Sequence, residues 1–171
     1  MNTPKVTRED ASKNSPPATV EEQWQDWHDT QNDYYLNLLR KRLQEPRLIW
    51  VEQFIALIHK YLPEIGQVGT NAIRINDFGC NVGHFYRGCL DFGPRANYKG
   101  YDISETYLAI AQEAFGADGF ERLDFSVADA HRRIRPADIA VISATLEHVE
   151  HDQIALGHVF ATTRRLVLLR T

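Results

Sequence analysis

Three acids stand at the ends of short apolar runs, and a glycine-bearing turn, Asp77-Phe-Gly-Cys-Asn-Val-Gly83, follows the first. In that turn Gly79 lets backbone approach a ligand closely, and Asn81 is one of the few residues besides glycine that tolerate positive φ. Gly83 permits tight packing where a following helix begins. Asp102 closes the run Tyr98-Lys-Gly-Tyr-Asp102, placed to accept hydrogen bonds from the two hydroxyls of a ribose. Asp129, in Val127-Ala-Asp-Ala130, is placed to accept from an exocyclic adenine amine. With their neighbours Cys80, Ile103, Ala130 and Ser143, these residues form a candidate nucleoside-binding set.

A set of that kind needs a sheet whose strands end together. The pattern predicts strands at Ala72–Phe78, Tyr98–Asp102, Leu123–Val127, Ala137–Ser143 and Leu166–Leu169. Helices are predicted between them, at about 83–90, at 104–115 with Ser104 as N-cap, and at 150–163. Strands alternating with helices mean parallel βαβ units in a doubly wound α/β sheet with helices on both faces. Upstream, Thr19-Val-Glu-Glu22 fits a capping box, and Trp24, Trp27, Tyr34, Tyr35, Leu38, Leu39 and Leu43 follow at helical spacing. A second helix is predicted from Pro46 to an end at Pro63, with Trp50, Val51, Phe54, Ile55, Ile58 and Leu62 on its apolar face. Residues 63–71 read as a loop rich in breakers, and residues 1–18 as a disordered tail. The expected organisation is therefore tail 1–18, N-terminal helices 19–62 that pack on the sheet or cover the site, and a ligand-binding domain 63–171.

The same residues resemble the class I, Rossmann-like methyltransferases that use S-adenosylmethionine (SAM). Asp77-x-Gly-x-Asn-x-Gly83 is similar to that family's nucleotide loop, with Asn81 where a middle glycine is usual. Tyr101-Asp102-Ile103-Ser104 resembles its ribose-binding segment, Val127-Ala-Asp129-Ala130 its adenine-side segment, and Ala140–His148 its fourth strand with a Leu-Glu-His ending. The resemblance covers residues 47–170 and implies SAM as cofactor, S-adenosylhomocysteine (SAH) as product and a small-molecule acceptor. It also implies a helix and an antiparallel strand pair after the fifth strand. The sequence stops before them, so a C-terminally truncated domain is expected.

Methyl transfer to a hydroxyl or amine needs a base at most, and His148, then Glu147, follow the fourth strand where such a base belongs. Both also suit a solvated helix start with acids in its first turn. His148, His151 and His158 with their acidic neighbours define no ligand set, so no metal is expected. Two rival readings share parts of the pattern. A nicotinamide-dependent oxidoreductase would need Gly-x-Gly-x-x-Gly spacing, which the turn lacks. A catalytically inactive, methyltransferase-like binding or scaffolding domain would have no need of all three acids.

The 171 residues, 43% hydrophobic, suffice for one sizeable core. A formal net charge of −4 argues against sequence-independent nucleic-acid binding. The basic run His131-Arg-Arg-Ile-Arg135 reads as a solvated loop. Apolar runs are too short to span a bilayer, and no apolar segment near Met1 marks a secretory signal. Cys80 and Cys89, the two cysteines, read as reduced thiols, which suits a cytoplasmic protein. A bare edge on the fifth strand makes pairing with a second copy conceivable.

Overall fold

The computed structural model describes residues 33–45, 48–65 and 72–171. The expected tail, the capping box at Thr19 and the two tryptophans at 24 and 27 lie outside those residues.

Helices α1 (Asp33–Gln44) and α2 (Ile49–Ile65) precede the sheet. The rest alternates: β1 (Ile73–Phe78), α3 (His84–Phe92), β2 (Ala96–Asp102), α4 (Glu105–Phe115), β3 (Phe120–Arg122), β4 (Ala137–Ser143), α5 (Asp152–Thr162) and β5 (Thr163–Arg170). All four strand pairings are parallel, in the order β3-β2-β1-β4-β5. The chain winds outward from β1 in both directions, so the order reverses between β1 and β4. Helices cannot cover that crevice at the carboxyl ends of the strands, and a ligand can enter there.

Side chains that alternate along the strands divide into two apolar layers. Ile75, Tyr98, Phe120, Ile139, Val141 and Leu168 pack under α2, α3 and α4, against Val51, Phe54, Ile55, Ile58, Phe85, Leu108 and Ala111. Phe78, Tyr101, Ala140 and Ile142 face the other way, toward Ala155 and Val159 of α5. β4 is apolar on both faces because it lies inside the sheet with a layer on each side. α1 buries Leu36, Leu39 and Leu43 against Val82, Tyr107 and Ile110. It is thereby held over the turn between β1 and α3.

Three expectations are corrected. Pro63 lies inside α2, which continues to Ile65. Burial of Ile65 in the core sustains that last turn past the proline's missing donor. The third strand is Phe120–Arg122, and 123–127 is irregular. Leu123 N still donates to Asp102 O at 2.9 Å, but Asp124 then accepts from Ser126 N (2.9 Å) and Ser126 Oγ (2.6 Å), which turns the chain out of the ladder. The basic run is only partly solvated, since Ile134 is buried and Arg135 reaches back under the sheet. Its guanidinium donates to Asn76 Oδ1 (3.1 Å), Ile75 O (3.1 Å), Asn97 Oδ1 (2.6 Å) and Asn97 O (2.7 Å).

Candidate functional site

The carboxyl ends of the strands and helices α1 to α4 enclose a cleft of about 410 Å³ at the β1/β4 crevice. Its floor is the turn after β1. Gly79 N and Cys80 N both donate to Tyr101 O, at 2.8 and 3.0 Å, which folds the turn against the end of β2. Gly79 has φ +70°, and a Cβ there would stand 2.8 Å from Thr145 Cβ, so both conformation and packing call for glycine. Asn81 has φ +51° and steadies itself by accepting from Val82 N at 2.8 Å. Gly83 (φ +89°) caps α3 and packs against Phe115 and Phe120, behind the cleft lining.

Asp102 stands at the end of β2, where its Oδ2 accepts from Asn81 N (2.8 Å) and its Oδ1 from Ser104 N (2.9 Å). A carboxylate offers about four lone-pair sites, and the pair of amides, one on each oxygen, fixes its orientation at the cleft. Ser104 in turn caps α4 by accepting from Tyr107 N, as the sequence predicts. The carboxyl of Asp77 is buried and accepts from Tyr98 Oη at 2.7 Å. Burial, with Asp102 adding to it, pushes its pKa up to about 7 against the pull of that hydroxyl. Cys80 lines the same floor, and burial followed by the charges of Asp102 and Asp77 drives its thiol well above its ordinary range. A thiol so placed packs and does not attack.

Of the residues singled out in the sequence, Asp77, Gly79, Cys80, Asn81, Asp102, Ile103, Ser143 and His148 line the cleft together. Four do not. Gly83 lies behind the turn, and Glu147 is exposed beside His148 on a short turn, Leu146–His148. Ala130 is buried in the α5-side core. Asp129 has an 81% exposed side chain and lies 3.8 Å from Arg132. The reason is the early end of β3: the acid that leaves that strand end for the cleft is Asp124, with Phe125 and Ser126 beside it.

The sequence offers the N-terminal helices, Tyr35 among their residues, as a cover for the site, but it singles out none of Arg42, Trp50 and Arg170 for the cleft. Tyr35, Leu39 and Arg42 close the cleft from α1, Trp50 from α2 and Arg170 from the end of β5. At the end of β4, Ala144 has φ +51°, held by donation from its N–H to Arg170 O at 2.8 Å. Alanine carries no sequence signal for a positive φ, so this turn shows itself only in the structure. His84 opens α3 at the cleft, and burial, then the charge of Arg42, pushes its pKa down to about 4 despite the Leu39 carbonyl. On the other side of the sheet His158 donates from Nδ1 to Phe125 O at 3.0 Å, and its ring lies 5.3 Å from that of His131. Among the described residues no group of three or more His, Cys, Asp or Glu side chains could hold a metal ion. No described helix is long and apolar enough to cross a membrane.

Comparison with known proteins gives the family and the fold. Residues 76–165 match the family model described as a methyltransferase domain. A trans-aconitate 2-methyltransferase of Streptomyces avermitilis is 35% identical over 91 residues, which make up 52% of this chain and 34% of that protein. The chain thus spans about a third of the length of the curated relative it matches. Among solved structures, magnesium protoporphyrin IX methyltransferase from Synechocystis PCC 6803 with bound SAM has a TM-score of 0.58 at 19% identity, covering 90% of this chain and 77% of that one. The plantazolicin methyltransferase BpumL in complex with a desmethylPZN analog and SAH has a TM-score of 0.60 at 18% identity, covering 83% and 53%. At those identities the two structures share the fold of this chain.

Proposed function

The chain belongs to the methyltransferase domain family, and from that membership we propose that its cleft binds SAM and that the protein passes the methyl group to a small-molecule acceptor, leaving SAH. The observation that carries this reading is the Asp102 carboxylate, oriented by two backbone amides at a cleft-lining strand end. The donor set suits the cofactor. Asp102 would take the ribose hydroxyls, the Asp124–Ser126 turn would border the adenine, and Asp77 with the Gly79–Asn81 backbone would border the amino-acid end. A cleft of about 410 Å³ is within the range of small-ligand sites.

Bound there, SAM supplies a methyl group already activated on a sulfonium, so the protein's share is placement and exclusion of water. The α1 side chains Tyr35 and Leu39 supply the exclusion, closing the side of the cleft that faces away from the sheet. His148, on the turn after β4, is the candidate base for a hydroxyl or amine acceptor. Glu147, outside the cleft lining, takes no part in that step. The −4 charge supports a small-molecule acceptor over nucleic acid, and the two buried free cysteines support a cytoplasmic location.

Isothermal titration calorimetry with SAM and, separately, NAD tests the reading. Micromolar SAM binding, on the order of −8 kcal/mol, is expected, with none for NAD and a loss of about a hundredfold in Asp102→Ala. A folded protein that does not bind SAM overturns the proposal.

A further inference from the structure

The cleft carries positive charge in its lining. Arg42 reaches it from the last turn of α1 and Arg170 from the last residue of β5, and both line the cleft. The Arg170 guanidinium lies over the indole of Trp50, 5.6 Å from the ring centroid, and Nη1 is 3.4 Å from Ser143 Oγ. Trp50 is braced from behind by stacking on Phe85, with centroids 6.3 Å apart. Arg42 stands near His84, whose ring its charge helps to keep neutral.

Arg87, Arg122, Arg132 and Arg133 each have a carboxylate within 4.0 Å. Neither Arg42 nor Arg170 has one among the described residues. The buried cleft acids are engaged elsewhere: Asp77 with Tyr98, and Asp102 with two amides. Asp124 is tied to Ser126, and Glu150 is an exposed acid at the cleft's edge. The Arg170 guanidinium on a fixed indole, with the Arg42 guanidinium in the lining of the same cleft, forms a surface for a planar oxyanion attached to an apolar body, because the fork of donors matches a carboxylate and the ring supports the remainder.

We propose that this surface receives a carboxylate of the methyl acceptor, held by Arg170 and Arg42, so that the acceptor is an organic acid. The proposal rests on the SAM-dependent reading of the same cleft. A carboxylate at this surface has two sources, the acceptor and the amino-acid end of the cofactor, and the experiment separates them.

Calorimetry is run on the wild-type protein, Arg170→Ala and Arg42→Ala, with SAH, SAM and decarboxylated SAM. Each protein is then saturated with SAH and titrated with benzoate and succinate, and with benzamide and succinamide as neutral counterparts. The acids should bind and the amides should not. Arg170→Ala should weaken the acids by about ten- to hundredfold while SAH affinity stays within about twofold. Arg170→Lys should recover part of the loss, which a merely structural role would not require. Equal binding of acids and amides, no binding of either, or acid binding untouched in both alanine variants overturns the proposal. So does a loss of SAM affinity in the arginine variants that is absent with decarboxylated SAM, because the guanidinium groups would then serve the cofactor. Failure of SAH and SAM to bind the wild-type protein at all removes the premise and the proposal with it. The acid-against-amide comparison, made in SAH-saturated protein, tests the proposal alone.

Discussion

Replacing Asp77 by asparagine isolates the free energy of ionising a carboxyl in the cleft floor. Burial is the leading cause that lifts its pKa from 3.8 to about 7, Asp102 adds to it, and the Tyr98 hydroxyl opposes it. A folded-state pKa above the unfolded one means that the folded protein keeps its proton longer. The group's contribution to stability is therefore full below pH 3.8 and is lost as pH rises through about 7. With those two values it amounts to about 3 kcal/mol at pH 5 and has nearly vanished by pH 8. Asp77→Asn keeps an acceptor for Tyr98 Oη but cannot ionise. Guanidinium denaturation of the ligand-free proteins at pH 5, 6, 7 and 8 cancels every other titrating group between them. Relative to the variant, the wild-type protein should lose about 3 kcal/mol across that range, most of it between pH 5 and 7. Parallel pH profiles, agreeing within about 0.5 kcal/mol, would refute a buried carboxyl that titrates near neutrality.

A ligand that brings positive charge should draw that proton out. If SAM binds the ionised carboxyl, its affinity for the wild-type protein should rise about tenfold per pH unit up to about pH 7 and then level off. Asp77→Asn should bind more weakly and without that slope.

The remaining predictions concern other parts of the site and its support. Asp124→Ala should weaken SAM binding by about tenfold in calorimetry, whereas Asp129→Ala, at an exposed position outside the cleft, should leave it unchanged. In Gly88→Ala a new Cβ would overlap Val51 Cγ1 and stand 2.9 Å from Ile55 Cδ1, driving α3 away from α2. A loss of about 1–3 kcal/mol is expected in a denaturant melt, and adding Val51→Ala should restore part of it, since the overlap is with that side chain. Arg135→Met would strip donors from Asn76 Oδ1, Ile75 O and both Asn97 oxygens. It should cost about 2–4 kcal/mol of stability yet leave SAM affinity intact, because the guanidinium lies outside the cleft lining.

How far the site was legible in the sequence depended on how sharply each strand end was marked. β4 was readable residue for residue, because a strand with a core on each face must be apolar throughout and Ser143 ends the run. Asp77, next to last in β1, and Asp102, the last residue of β2, both line the cleft. β3 carries the weakest signal, because an edge strand of three residues, Phe-Glu-Arg, has one apolar side chain to announce it. The next residues mislead, since Leu123 and Phe125 alternate with polar neighbours as a half-buried strand would. Both are buried, but as an irregular segment that Asp124 folds back through Ser126. Shifting that one boundary moved the expected acid from Asp124 to Asp129. The walls supplied by Arg42, Trp50 and Arg170 had no local signature at all. Nothing near them in the chain sets their role, which arises because α1, α2 and β5 converge on a crevice built by other segments. A rule that looks for chemistry at strand ends is therefore only as good as the placement of each end, and it finds the groups on the strands' own turns before those that the rest of the fold brings to face them.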